Sequence, residues 1–317
     1  MRRVCVTGGS GFLGTALTKR LLTMPQIERV RVVSRDEHKK ARMVERFGSY
    51  SAFQALLGDV RERNRLEQIF SDIDVVIHAA ALKRVDNDSD EAIEMKKTNI
   101  DGTQNVLEAA TACGVQRVMF VSSDKACAAE NSYGKSKAMA EEIAVAYNSI
   151  AYPRNTRISC VRYGNVLWST GSVLCKWTEA KAARRPFNIT DLHMTRFLLT
   201  VDQAVDFILL ALNSMMGGEI FIPKLLSAKI GDLALALDPE WPTQLIGLRP
   251  GGEKKAERLI GVEEMTRTVE QPGSFVVIPS RRGWSAVPYH GKPIDPTWVY
   301  ASDTVPLYTV EEIKEML

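Results

Sequence analysis

Six short runs rich in apolar and β-branched residues punctuate the first half of the chain: "RVCVTG" (3–8), "RVRVVS" (29–34), "FQALLGD" (53–59), "DVVIHAA" (74–80), "RVMFVSS" (117–123) and "RISCVRYG" (157–164). Between them, around 12–24, 37–47, 62–70, 91–113 and 134–149, apolar residues recur at helical spacing. Runs that are apolar throughout suit strands buried on both faces of a parallel sheet. Strands alternating with helices in this way predict a doubly wound parallel α/β sheet. A further helix is expected over 200–215 and a strand over 218–223. After Pro223 the texture changes to short elements separated by turn residues, as in "DPEWPTQLIGLRPGGEKK" and "QPGSFVVIPSRRGW". The pattern predicts a nucleotide-binding domain over 1–223 and a smaller lobe over 224–317. The loop 165–195 is expected to contribute to that lobe's site, so that the two interleave.

Composition narrows the picture. The 317 residues are 45% hydrophobic and 25% charged, an ordinary globular balance. A net charge of +3 points to neither a nucleic-acid nor an anionic-membrane partner. The five cysteines (Cys5, Cys113, Cys127, Cys160, Cys175) are odd in number and lack Cys-x-x-Cys spacing. That argues against a disulfide framework or structural zinc site and fits a reducing cytoplasm. The apolar run at the start is too brief for a signal peptide and reads as the first strand. No segment has the roughly 18 uninterrupted apolar residues of a membrane span. His78, His193 and the other two histidines show no metal-ligand spacing.

"VTGGSGFLG" follows the first strand and opens the first helix. Gly8, Gly11 and Gly14 give a Gly-x-x-Gly-x-x-Gly turn, in which the backbone can approach a pyrophosphate held on helix N–H donors. This is the Rossmann dinucleotide-binding arrangement. An NAD site would carry an acidic residue roughly 20 positions on. Ser34 and Arg35 stand there instead, with Lys39 and Lys40 a turn later. Hydroxyl and guanidinium donors suit a 2′-phosphate, which favours NADP over NAD. Asp36 is open to two readings, a ribose ligand or the cap of the next helix. Asp59 is placed to meet the adenine amine or to cap a helix. The expected cofactor set is Gly8, Ser10, Gly11, Phe12, Leu13, Gly14, Ser34, Arg35, Lys39, Asp59, Val60, Ala79, Ala80, Ala81, Tyr133 and Lys137.

The catalytic candidates lie in "SSDKACAAENSYGKSK" (122–137). Tyr133 and Lys137 are one helical turn apart and share a face. A lysine cation beside a phenol is expected to lower its pKa, so that tyrosinate can take a hydroxyl proton while hydride leaves the same carbon. Asp124 and Lys125 add a second acid and base, which simple hydride transfer does not require.

These residues together resemble the extended short-chain dehydrogenase/reductase family. "TGGSGFLG", "SRDE", "GDVR", "HAAALKRV", "TNIDGTQNV", "SSDKA", "YGKSK", "VRYGNV", "MTRF" and "GGEIFIPK", in that order, are similar to its UDP-N-acetylglucosamine 4,6-dehydratases. The likeness is particularly to the short soluble form that begins pseudaminic acid synthesis and inverts C5; it runs from about residue 3 to 260. The resemblance implies a role for each pair. Oxidation at C4 acidifies C5, a base takes the C5 proton, an acid releases the 6-hydroxyl as water, and hydride returns to C6. Tyr133 then serves C4 with Ser123 beside it, Lys125 the C5 proton and Asp124 the 6-hydroxyl. Asp124 must start protonated and Lys125 neutral, their protonation being coupled.

The resemblance also implies substrate contacts at Lys83, Asn165, Arg196, Arg249 and Glu253, the two arginines on the UDP diphosphate and Glu253 on the uridine ribose. An inserted Gly and "KA" in place of Leu-His alter the family's Arg-Pro-Gly-Glu-Lys-Leu-His-Glu run around Arg249 and Glu253. Asn99 is expected to tie helix to sheet. Retention at C5, a UDP-sugar epimerase and a non-catalytic NADP-binding regulator are the alternative readings. Relatives of this kind form dimers or hexamers, so a homo-oligomer is expected.

Overall fold

The computed structural model describes residues 1–83, 89–248, 253–280, 284 and 289–317. Strands β1 (Arg3–Thr7), β2 (Arg29–Ser34), β3 (Phe53–Leu57), β4 (Val75–His78), β5 (Arg117–Val121) and β6 (Arg157–Val161) form near their predicted positions. Between them run α1 (Phe12–Leu22), α2 (Glu37–Phe47), α3 (Arg63–Phe70), α4 (Ser89–Met95), α5 (Gly102–Ala112), α6 (Ser132–Ala146) and the short α7 (Asn148–Ala151). The chain continues through β7 (Asn165–Val166), α8 (Val173–Ala182), β8 (Phe187–Ile189), β9 (Thr195–Leu199), α9 (Val201–Ser214) and β10 (Ile220–Pro223). It ends with β11 (Ser227–Lys229), α10 (Ile230–Leu237), β12 (Thr243–Leu245), β13 (Thr268–Gln271), β14 (Ser274–Val277), β15 (Lys292–Pro293) and α11 (Val310–Met316).

The large sheet has the order β15-β13-β14-β10-β6-β5-β4-β1-β2-β3. All pairs from β3 to β10 are parallel. Leu66, Phe70, Leu107 and Ala140, from α3, α5 and α6, fill one face of the sheet. Leu17, Leu21, Met43, Phe47 and Ile208, from α1, α2 and α9, fill the other. The strand order reverses between β1 and β4, the switch point at which such sheets open a crevice beyond their carboxyl ends.

Two features depart from the sequence expectation. The sheet does not stop at Pro223: β14, β13 and β15 join it antiparallel, beside β10. Thr268–Gln271, Ser274–Val277 and Lys292–Pro293, expected in the small lobe, therefore supply its edge. These short strands alternate turn residues with apolar ones, a texture that does not reveal which sheet they pair with. The loop 165–195 holds a helix, α8, whose Leu174 and Trp177 are buried with Phe187, Ile189, Leu233 and Ile313 in a separate core. Trp177 stacks on Phe187 with ring centroids 5.3 Å apart. This second core builds the lobe over the carboxyl edge.

The predicted helix 91–113 is divided by a π-helical turn at Lys96–Asp101. The turn presents Asn99, which accepts from the Leu82 amide (2.8 Å) and donates to the Leu82 carbonyl (2.8 Å) and Ser136 Oγ (2.9 Å). It ties the segment after β4 to α6. Arg162, buried just past β6, likewise clamps α6: it donates to Glu141 (3.1 Å), Glu264 (2.7 Å) and the Leu259 carbonyl (2.9 Å). Among the described residues, no helix is long and apolar enough to cross a membrane.

Pairing of β5 with β6 persists beyond the strands, through Ser122 N to Val161 O (2.7 Å) and Asp124 N to Tyr163 O (3.0 Å). The chain then makes one 3-10 turn, Asp124–Ala126, whose Lys125 amide donates to Ser123 Oγ (3.3 Å). Helix α6 begins six residues later, capped by Asn131 Oδ1 on the Gly134 amide (2.8 Å). A Cβ on Gly134 would lie 2.4 Å from the Lys125 carbonyl oxygen. We expect Gly134→Ala to lower stability by about 1–3 kcal/mol, the range for overpacking a fixed contact. Chemical denaturation would measure it, and an unchanged midpoint would mean that the helix can lift off the turn without cost.

Candidate active site

The glycine turn fits an anion. Gly8 has φ +69°, and a Cβ there would lie 2.8 Å from Ala80 Cα, so the turn packs directly on the end of β4. A Cβ on Gly14 would lie 2.4 Å from Gly9 Cα. Helix α1 has no side-chain cap at Gly11 and no acidic residue in its first turn, leaving its N–H donors to a ligand. Ser10 Oγ donates to Ser34 Oγ (2.7 Å), joining this turn to the end of β2. Phe12, Leu13, Ala79 and Ala80 are half-buried around it, and Ala81 is exposed.

Of the residues after β2, Arg35 and Lys39 are exposed. Asp36 is the α2 cap, accepting from the Lys39 amide at 2.9 Å. That bond holds its carboxyl below the usual range, with the Lys39 charge contributing. Asp59 is not the α3 cap: it accepts from Arg61 N (3.0 Å) in a turn, while Glu62 stands at the α3 cap position. Val60 is buried in the core against Gly102.

The 3-10 turn and α6 bring the four acid–base groups together. Lys137 is buried and donates to the Val121 carbonyl (2.7 Å), with its ammonium 4.0 Å above the Phe120 ring centroid. Burial pulls it down to about 8. Burial pushes the Tyr133 phenol up to about 12; the Asp124 charge adds to this and a hydrogen bond with Ser123 opposes it. The lowering expected from Lys137 is thus not what this geometry gives: burial dominates and the Asp124 charge adds to it, while the Lys137 ammonium donates to a carbonyl and lies over a ring.

Asp124 is 1% exposed. It accepts from Ser123 Oγ (2.8 Å) and Lys125 Nζ (2.8 Å). Lys125 Nζ also stands 3.1 Å from Glu257 Oε1 and 3.4 Å from Asn165 Oδ1. Lys125, Asn165, Arg196, Glu253, Lys254 and Glu257 line a cleft of about 700 Å³ between the sheet edge and the lobe.

One expected substrate contact, Arg196, looks different in place. Arg196 is buried with its guanidinium donating to the carbonyls of Thr195 (2.7 Å), Lys254 (2.9 Å) and Lys255 (3.3 Å). It clamps the 254–255 backbone instead of offering an open fork to a diphosphate. The exposed cations on the cleft wall are Lys176 and Arg185. Arg249 lies outside the described residues. Lys83 is exposed. Glu253 stays at the cleft, half-buried, with Thr190 Oγ1 at 3.5 Å. Two residues escaped the sequence reading: Glu257, and Lys254, whose Nζ donates to the Cys127 carbonyl (2.8 Å). The signal available was the alternation of acid and base in "GGEKKAE". His78, held between Thr7 (2.7 Å) and Thr103 (3.0 Å), is driven by burial to about 3 and is structural.

Comparison with known proteins agrees with this architecture. A UDP-N-acetylglucosamine 4,6-dehydratase (inverting) of Campylobacter jejuni subsp. jejuni serotype O:2 is 37% identical, the match covering 100% of this chain and 96% of that one. A UDP-glucose 4-epimerase of Rickettsia bellii is 34% identical, covering 100% and 95%. The X-ray structure of Pen from Bacillus thuringiensis superposes with a TM-score of 0.89 at 30% identity, covering 99% of this chain and 97% of that one. Residues 4–279 match the family described as polysaccharide biosynthesis protein. With a Rossmann sheet, a full-length likeness and this family match in agreement, the chain belongs to the polysaccharide biosynthesis protein family, built on the short-chain dehydrogenase/reductase scaffold.

Proposed function

We propose that the chain is an NADP-dependent UDP-GlcNAc 4,6-dehydratase that inverts C5 and yields a UDP-4-keto-6-deoxy-HexNAc. The observation that carries this reading is the Asp124–Lys125 pair, 2.8 Å apart, with Lys125 on the cleft wall and the buried Asp124 close enough for its charge to act on Tyr133. The full-length likeness to the Campylobacter relative supports the substrate and the inversion. When bound, the nicotinamide accepts hydride from C4 and returns it to C6, so that no net oxidation occurs. The glycine turn, the α1 donors and Lys137 are the residues to hold it, with Ser34 and Arg35 at the adenosine end.

The chain's own groups manage the protons. Tyr133, polarised by Ser123, takes the proton of the 4-hydroxyl. Its raised value reflects burial and the Asp124 charge, so protonating Asp124 also makes the phenol easier to ionise. Transfer of one proton along the 2.8 Å bond from Lys125 Nζ to Asp124 Oδ2 gives a neutral amine and a neutral carboxylic acid. Lys125 can then take the C5 proton, while C5–C6 gains its double bond and the C6–O bond breaks. Asp124 protonates the departing oxygen, which leaves as water. The pair ends as carboxylate and ammonium, the arrangement that the 2.8 Å contact describes. After hydride return to C6, C5 regains a proton, in exchange with solvent, on the face opposite the one it lost, which completes the product and inverts the centre. Lys176 and Arg185 supply cations for the diphosphate, and Asn165 and Glu253 polar contacts along the cleft. The same reading carries a homo-oligomer, a dimer or hexamer, working in the cytoplasm at the start of pseudaminic acid synthesis.

The epimerase reading has one observation in its favour, the 34% identical Rickettsia relative. It uses Tyr133 and Lys137 and leaves the Asp124–Lys125 pair without work.

Incubation with UDP-GlcNAc in deuterated water, followed by proton NMR, separates the two. A 6-methyl signal with deuterium at C5 is expected, and ring couplings report the inversion; a product that keeps its 6-hydroxyl makes the chain an epimerase. Lys125→Ala is expected to abolish the 6-methyl product, a loss of at least about 100-fold for a missing general base, while cofactor still binds. Near-normal dehydration by that variant would refute the role. Arg35→Ala should weaken NADP binding about tenfold or more in calorimetry, the worth of one charge-assisted bond, with NAD unaffected. Equal losses for both cofactors would remove the case for NADP.

A further inference from the structure

Glu257 is 3% exposed, and the sequence separates it widely from the 3-10 turn whose Lys125 it faces. Its backbone is fixed on both sides by Ser302, through Glu257 N to Ser302 Oγ (2.9 Å) and Ser302 N to Glu257 O (2.8 Å). The carboxylate therefore has little freedom. Oε1 lies 3.1 Å from Lys125 Nζ and 3.9 Å from Arg196 Nε; Oε2 lies 3.4 Å from Lys254 Nζ and accepts no hydrogen bond. Burying a charge costs several kcal/mol unless it is paired. Every cation paired with it stands on the cleft wall.

We infer that Glu257 is a positioning residue for Lys125, holding Nζ at the cleft wall and supplying the counter-charge for the ammonium formed when Lys125 takes a proton. The inference rests on the dehydratase reading. If Asp124 is to deliver a proton to the leaving oxygen, it is neutral when elimination starts. At that moment it cannot serve as the counter-ion of the forming ammonium. Glu257 is the carboxylate beside Lys125 that the reaction does not consume. Lys254 and Arg196 stand around its carboxylate, so the charge developing on Nζ meets a buried partner already held in place, where such charges act most strongly. The closing Glu of the "GGEKKAE" run thereby links the small lobe to the base on the large sheet.

The test compares wild type and Glu257→Gln on UDP-GlcNAc with either hydrogen or deuterium at C5. Glutamine keeps the shape and an acceptor oxygen but not the charge. We expect kcat to fall about tenfold to a hundredfold, within the range attributable to a proton-transfer group, with KM little changed. Removal of the C5 proton becomes limiting, so the deuterium effect on kcat grows and reduced-nicotinamide absorbance accumulates before product. Lys254→Gln, which leaves Glu257 in place, should show the same signature more weakly, and it decides the matter if the first variant does not fold. Wild-type kcat, or a fall in kcat without a larger deuterium effect, overturns the role of Glu257 while leaving the dehydratase reading intact. A wild-type enzyme that returns UDP-GlcNAc unchanged overturns the dehydratase reading itself, and this inference with it.

Discussion

The site depends on one close approach. Helix α6 rests its first turn on the carbonyl of Lys125 at the one place where the helix has no side chain, and a Cβ at Gly134 would be 2.4 Å from that oxygen. Sequence neighbours of Gly134 thereby become spatial neighbours of the 3-10 turn. Tyr133, which precedes it, feels both Ser123 and Asp124. Lys137, a turn later, reaches back to the Val121 carbonyl at the end of β5. Asn99 and Arg162 hold the same helix from two further directions. A strand end, a turn and a helix start are thus fixed to within van der Waals contact, the tolerance that proton transfer between named atoms demands.

Electrostatics then divides the four groups into two kinds. Tyr133 and Lys137 are each pushed by burial toward the neutral form, the phenol up to about 12 and the ammonium down to about 8. Asp124 and Lys125 are bound to one another instead, with Glu257 as a third member and Lys254 and Arg196 behind it. The protonation of the first pair is altered by desolvation, while the second pair is defined by a direct contact between opposite charges. Placing both within reach of one cleft gives a site with two proton accounts that communicate through Asp124, whose carboxylate faces the phenol as well as the amine.

How much of this the sequence reveals follows from how local each contact is. The parallel strands were legible because residues buried on both faces must be apolar throughout, and the glycine turn because its backbone excludes a Cβ at Gly8 and Gly14. The joining of Asp124–Lys125 to Tyr133 and Lys137 lies within one short stretch, so spacing alone suggested it. The identity of the sheet edge was not legible: β13 and β14 look like other short strands, and their pairing with β10 depends on a long return of the chain. Helix α8 was read as loop because its buried residues, Leu174 and Trp177, answer to a core assembled from distant segments. Arg196 was assigned to a diphosphate by resemblance. Its bonds to the carbonyls of 254 and 255 could be known only once those residues were beside it.

Arg196 and Glu257 together show why the small lobe is more than a cover for the substrate. Arg196 spends its guanidinium on the backbone that leads to Glu257, and Ser302 fixes Glu257 from the other side. A lobe whose only task were to bind a nucleotide would gain nothing from directing a buried carboxylate at the base on the large sheet, since that carboxylate costs desolvation. The three cations around it offset that cost, and two of them come from the same lobe. In the proposed reaction the charge is used at elimination, when the proton that Lys125 gains and the proton that Asp124 loses leave the total charge of the cluster unchanged. Glu257, Lys254 and Arg196 then stay as they are, and the surroundings need no reorganisation. An epimerase has no such step, and so makes no use of Glu257 in this way. The lobe's contribution of a fixed charge, more than the Tyr133–Lys137 pair common to both chemistries, is what inclines this scaffold toward dehydration.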